Sequence, residues 1–107
     1  MKNMVDVLSE VLPKNVTPGE LIRATRTNFG ITQDEICEVT GLKRANLSAI
    51  ENGRIEMTVH YAEVLGAALG LHPSTILFPR GKYAKKKEIL DIEKRAKSLF
   101  KKHAVGF

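Results

Sequence analysis

Residues 31–54 read ITQDEICEVTGLKRANLSAIENGR, and this stretch decides the fold. Thr32 is a favourable helix N-cap, and Glu35 lies three residues on, the spacing of a capping box. Ile36 and Val39 give the helix that follows its apolar positions, and Cys37 a small one. Gly41 supplies the left-handed residue that stops a helix. Leu42 drops an apolar side chain into the elbow. A second helix begins near Lys43 or Arg44 and runs over residues 43–52. It buries Leu47 and Ile50 at i, i+3 spacing and stops at Asn52-Gly53. Two short helices joined by a tight glycine-containing turn make a helix-turn-helix.

The flanking sequence continues the helical pattern. Met4, Leu8, Val11 and Leu12 share one helical face, so residues 3–12 are expected to form a short leading helix that Pro13 limits. Thr17-Pro18-Gly19-Glu20 opens the next helix, with Thr as cap, Pro at the first helical position and Glu completing the box. That helix runs to Asn28 or Phe29 and Gly30 ends it. Thr58 caps a helix whose inner face is Ala62, Leu65 and Leu69, ended by Gly70. Pro73 opens a short helix carrying Ile76 and Leu77. Phe78-Pro79-Arg80-Gly81 reads as a hinge, and residues 83–102 as a last, basic helix. No strand alternation occurs. The expected fold class is all-α. Its parts are an N-terminal extension (1–16), a five-helix domain (17–78), and a hinge with a long basic C-terminal helix (79–107).

A chain of 107 residues holds one domain's worth of core. One cysteine excludes an internal disulfide and fits a reducing, cytoplasmic setting. The longest apolar run, Val64 to Leu71, is too short to cross a bilayer, and the start of the chain lacks a signal-peptide pattern. Tryptophan is absent and aromatics make up 6%, which disfavours stacking of bases on an aromatic platform. The net charge of +5 is uneven. Residues 1–79 hold seven basic against nine acidic residues, a net of −2, whereas residues 80–107 hold ten against three, a net of +7. This asymmetry points to nucleic-acid contact by the tail. A solvated lysine-rich helix accounts for it equally well.

Chemistry is sparse. His60, His72 and His103 lie far apart without Cys or His companions at ligand spacing, so no metal site is expected. Cys37 reads as a small buried hydrophobe. No nucleophile–base or paired-carboxylate arrangement and no phosphate-binding glycine loop is present, so neither enzyme activity nor a cofactor is expected.

The stretch quoted above resembles the XRE/Cro-type (lambda-repressor-like) helix-turn-helix family. The resemblance rests on Thr32-Gln33, Cys37 in a small-residue slot, Gly41, and the close Ile50-Glu51-Asn52-Gly53, and it spans about Leu21 to Leu77. It implies a lambda-repressor-like domain and a transcriptional regulator, a repressor, of double-stranded DNA. Two departures stand out: Met57 replaces a proline usual after the Asn-Gly loop, which loosens the loop. Thr25 replaces a usual leucine of the first domain helix, which thins the core.

In a helix-turn-helix the second helix enters the major groove with its N-terminal residues at base edges. Lys43, Arg44, Ala45 and Asn46 occupy that end here, with Ser48 and Ala49 one turn on. An arginine pairs bidentately with guanine and an asparagine with adenine, and alanine methyls meet thymine methyls. The resemblance supports Arg44, Ala45, Ser48 and Ala49 more strongly than Asn46. Lys43 is a poor N-cap whose charge opposes the helix dipole at a cost of about 0.3–1 kcal/mol, and Arg44 adds to the penalty. DNA phosphate would offset it. Thr32 and Gln33 at the start of the first motif helix, and Asn52 and Arg54 past the second, are expected on phosphates. The resemblance further implies a structural ion pair between Arg26 and Glu51.

The last helix carries the apolar stripe Ile89, Ile92, Ala96, Leu99 and Phe100, more than a solvated helix needs. Pairing with a second copy in a homodimer is the favoured expectation. Folding back on the domain, or meeting a protein or a membrane surface, remain alternatives. Thr17-Pro18-Gly19-Glu20-Leu21 also resembles the start of the domain in HigA-like antitoxins, which bind a toxin protein and repress their own operon. A protein-binding adaptor that does not use DNA is a third reading.

Overall fold

The computed structural model describes residues 15–81 and 85–103. The expected leading helix, residues 3–12, lies outside them. The described chain is all-helical: α1 (Pro18–Asn28), α2 (Gln33–Thr40), α3 (Arg44–Glu51), α4 (Val59–Leu69), α5 (Pro73–Leu77), a 3-10 turn (Pro79–Gly81) and α6 (Lys87–Lys102).

Local chemistry sets most of these boundaries. The Thr17 hydroxyl accepts the Glu20 N–H at 3.1 Å, with Pro18 in the first turn of α1. At the start of α2 the Thr32 hydroxyl accepts the Glu35 N–H, and the Glu35 carboxylate accepts the Thr32 N–H at 2.9 Å, closing the capping box. This carboxylate, stabilised first by that backbone bond and then by the Thr32 hydroxyl, has a pKa below its ordinary value. Gly41 ends α2 at φ 78°, in the left-handed region where only glycine is unstrained. Thr58 caps α4, and the His72 ring accepts the Ser74 N–H at the start of α5. That places His72 in a structural role.

Apart from Pro79, the buried apolar side chains among the described residues lie between Leu21 and Ile76. They come from every domain helix: Leu21 and Ile22, Ile36, Leu47 and Ile50, Ala62, Leu65 and Leu69, and Ile76, with Leu71 from the loop between α4 and α5. Each such Leu or Ile stabilises by about 1.5–3 kcal/mol relative to exposure. Val39, one turn beyond Ile36, faces solvent at 73% exposure. Thr25 stands at a wholly buried position, and its hydroxyl donates to the Leu21 carbonyl at 2.7 Å. The polar group is thereby satisfied, and the smaller side chain is accommodated without an orphaned hydroxyl. Met57 packs half-buried against the core.

Gly19 fixes how α1 meets α3. A Cβ there would stand 2.3 Å from the Ile50 carbonyl oxygen and 2.7 Å from that of Glu51. No side chain fits, so α1 crosses directly over the end of α3. This close approach carries the charged groups of α1 onto Glu51.

The last helix starts about four residues later than the periodicity predicts. Lys86 is its N-cap in extended conformation (φ −73°, ψ 158°), without a side-chain cap. The Lys86 ammonium lies 2.7 Å from the Glu56 carboxylate, and Lys85 lies 2.9 Å from Glu93. These pairs draw both lysines across to partners instead of along a helix. Helix α6 contributes no buried residue. Of its apolar stripe, Ile89 and Ala96 are half-covered, while Ile92, Leu99 and Phe100 are 51%, 58% and 61% exposed.

Candidate nucleic-acid interface

Helix α3 presents two faces. Leu47 and Ile50 point into the core, and Glu51 is buried at its end. Lys43, Arg44 and Ala45 are exposed at its start, while Asn46, Ser48 and Ala49 are half-exposed. The start is electrostatically unusual. Lys43 is the N-cap in extended conformation and makes no side-chain cap bond, and the first turn holds no acidic residue. Two cations therefore sit at the positive end of the helix dipole, which costs stability and favours an anion there.

What holds this helix in place is a buried ion pair. Arg26 grips Glu51 with two parallel bonds, Nε to Oε2 and Nη2 to Oε1, each 2.9 Å. Its Nη1 donates to the Ile31 carbonyl at 3.1 Å. The Arg26 side chain is 12% exposed and that of Glu51 is fully buried. Arg23, one turn earlier, approaches Glu51 to 3.6 Å and donates to the Asn52 side-chain oxygen. Sequence reasoning missed Arg23, although its i, i+3 relation to Arg26 puts both on one face. Burial pushes the Glu51 carboxyl pKa up. The hydrogen bonds from Arg26 and Gln33 and the charges of Arg26 and Arg23 outweigh it, so the net pKa lies below the ordinary value. The Glu51 hydrogen bond in turn holds the Arg26 guanidinium above its usual value, against the opposing effect of burial.

A lowered folded-state pKa means that the Glu51 contribution is complete above the unfolded glutamate value, about 4.3, and is lost as pH falls through the folded value. Wild type is therefore expected to melt progressively lower below about pH 4. Glu51→Gln starts lower at neutral pH, and its deficit shrinks as the pH drops. A deficit constant across pH 3–7, read by thermal melts, would exclude the ion pair as the acid-labile element.

Gln33 is half-buried and turned inward. Its Nε2 donates to Glu51 at 3.1 Å, which leaves Oε1 to accept from Arg44 Nε at 3.4 Å. One amide thus joins the buried pair to the exposed arginine. Arg44 also meets Asp34, Nη1 to Oδ1 at 3.4 Å. Thr32 commits its oxygen to the capping box, with its hydroxyl proton still able to donate outward. Asn52 is drawn into the close of α3, its amide donating to the Ser48 carbonyl at 2.9 Å. Arg54 is exposed, with its backbone N–H on the Ala49 carbonyl at 2.8 Å. Ile89, Ile92, Ala96, Leu99 and Phe100 lie apart on α6 and do not join this surface. Cys37 is half-buried against the core.

Residues 19–71 match a family model described as a helix-turn-helix domain. An uncharacterized HTH-type transcriptional regulator from Methanothermobacter thermautotrophicus is 38% identical over 50 residues, which cover 47% of this chain and 72% of that protein. The chain belongs to the XRE-type helix-turn-helix family. This helix-turn-helix protein is also similar in structure to the P22 c2 repressor, solved in complex with a synthetic operator. The TM-score is 0.56 at 26% identity, over 64% of this chain and 100% of that one. The lambda-repressor-like architecture expected from the sequence is the one observed. Among the described residues of this helix-turn-helix protein, no helix is long and apolar enough to cross a membrane.

Replacing Lys43 separates the helix from its task. Lys43→Ser places a hydroxyl where it can accept an orphan N–H and removes a cation from the dipole's positive end. The expected gain is about 1 kcal/mol, a rise of roughly 4–8 °C in melting temperature. Affinity for DNA should fall, with a salt slope smaller by about 1. Equal or lower melting would mean that Lys43 is already stabilised in the free protein.

Proposed function

We propose that this chain is a DNA-binding transcriptional repressor that reads an operator through α3. The observation that carries this reading is the uncapped, doubly cationic start of α3, exposed on a helix anchored from behind by a buried ion pair. Such a surface, neutralised only in part by the exposed Asp34 carboxylate beside Arg44, is relieved further by an anionic partner. The structural neighbour is a repressor solved in complex with a synthetic operator, which supports double-stranded DNA as the partner. In this reading Arg44, Ala45, Ser48 and Ala49 meet base edges, with Lys43 and Asn46 beside them. Thr32, Gln33, Asn52 and Arg54 lie along the phosphates: Gln33 through its backbone N–H at the start of α2, Thr32 through its hydroxyl proton and Arg54 through its guanidinium, with Asn52 beside them. Arg44 is matched to guanine, whose two major-groove acceptors suit a guanidinium fork.

Two copies complete the site. The exposed stripe on α6 supports self-association, and a two-fold dimer presents two α3 helices about 34 Å apart on a palindromic operator. The decisive experiment compares binding to the DNA upstream of the protein's own gene with binding to a scrambled duplex, across a salt series. Preference for the upstream duplex by about 10³ or more supports base reading. Equal and steeply salt-dependent binding to both would show only the basic tail engaging phosphate. The toxin-binding and adaptor readings would then move ahead. Sedimentation on a duplex with two half-sites reads the stoichiometry.

A further inference from the structure

Arg44 is the residue most suited to reading a base, yet it is not loose in solvent. Its Nη1 lies 3.4 Å from the Asp34 carboxylate and its Nε 3.4 Å from the Gln33 amide oxygen. Asp34 stands in the first turn of α2, where an acidic side chain is usually accounted for by the helix dipole alone. Here it does a second thing, because α2 and α3 pack so that the start of α2 faces the start of α3. Gln33 is fixed from the other side by Glu51, so its oxygen is directed at Arg44. The two contacts occupy two of the five guanidinium donors and leave three.

The geometry points to Asp34 as a specificity-determining positioning residue, one that presets the Arg44 fork for a base edge and discourages it from reaching for a phosphate. This rests on the DNA-reading function proposed above. Two opposing effects of Asp34 follow. Its negative charge lies beside the path of the DNA backbone and lowers affinity for every duplex alike. Its hold on Arg44 removes conformations in which that side chain strays to the nearest phosphate, which raises discrimination. Removing the charge therefore strengthens non-specific binding while weakening sequence preference. A residue that merely stabilised α2 would not produce that combination.

The test measures wild type, Asp34→Asn, Asp34→Glu, Arg44→Ala and the Asp34→Asn/Arg44→Ala pair on the upstream and scrambled duplexes at fixed salt. Asp34→Asn is expected to bind scrambled DNA about two- to fivefold more tightly, the range that an exposed ion pair spans, while the upstream-to-scrambled ratio falls by a similar factor. Asp34→Glu, which can still reach Arg44, should restore the ratio. In the Arg44→Ala background Asp34→Asn should raise binding to both duplexes without changing the ratio. A wild type that discriminates, with an unchanged ratio in Asp34→Asn, overturns the positioning role alone. A wild type that does not discriminate overturns the DNA-reading function and this inference with it. Thermal melts within a few degrees of wild type, expected for a pair and a first-turn charge this exposed, with all variants folded at the binding temperature, tie the outcome to binding and not to folding.

Discussion

Arg26→Ala is expected to destabilise the protein by about 3–5 kcal/mol, a large share of the roughly 5–15 kcal/mol that holds a domain folded. The substitution leaves the fully buried Glu51 carboxylate without its bidentate partner. Gln33 still donates to it, but Arg23 at 3.6 Å is half-exposed and cannot replace the fork. Urea and thermal melts should show the loss directly. DNA binding should fall only in proportion to the unfolded fraction and should return when the sample is cooled below its new melting point. Arg26→Lys should recover part of the stability, since an ammonium keeps the charge but not the two parallel bonds. Arg26→Leu combined with Glu51→Leu should be more stable than Arg26→Ala, because no charge is then buried without a partner. Normal melting with lost binding in Arg26→Ala would falsify the scaffold role and put Arg26 in the contact surface.

Arg44→Ala is expected to act in the opposite way, with little change in melting and a large change in recognition. Its contacts to Asp34 and Gln33 lie on the surface, and exposed pairs contribute at most about 1 kcal/mol. A bidentate arginine–guanine contact carries about 1–3 kcal/mol of discrimination, which is roughly a 5- to 150-fold loss of preference at one base pair. The loss should be confined to duplexes that keep that guanine, and a base-pair substitution there should cost wild type but not the variant. If Arg44 holds a phosphate instead, affinity will fall evenly on all sequences and the salt slope will drop by about one. Competition titrations with single base-pair variants of the upstream duplex separate the two results.

These two residues show how unevenly the site could be read. The Arg26–Glu51 geometry was implied only by family resemblance, since the two residues are 25 positions apart and nothing local demands that they meet. Lys43 was legible as a missing cap because capping is a property of a single residue and the turn after it. Gln33 was expected on phosphate, and the structure turns its side chain to Glu51 and Arg44. Asp34 carried no signal beyond an acidic first turn. Thr25 looked like a thinned core, and only the structure shows that it is wholly buried with its hydroxyl satisfied by the Leu21 carbonyl.

What the sequence determined by itself is the set of helices between residues 17 and 77, together with most of their ends. Thr17, Thr32 and Thr58 start helices by accepting an N–H three residues on, and Gly41 and Gly70 stop them by entering the left-handed region at φ 78° and 72°. These are interactions within one turn of chain, so the residues that make them stand together in the sequence. The apolar spacing then fixed which faces of α3 and α4 go inward. What only the tertiary structure decided is how those helices are rotated against one another. The contact of Gly19 with the carbonyls of Ile50 and Glu51 brings Arg23 and Arg26 onto Glu51, and the packing of α2 on α3 brings Gln33 and Asp34 onto Arg44. Such meetings depend on the crossing of two rigid rods, which no local pattern encodes. The exposure of the α6 stripe is of the same kind: its period was readable, but whether the domain offered a surface to cover it was a matter of three-dimensional packing.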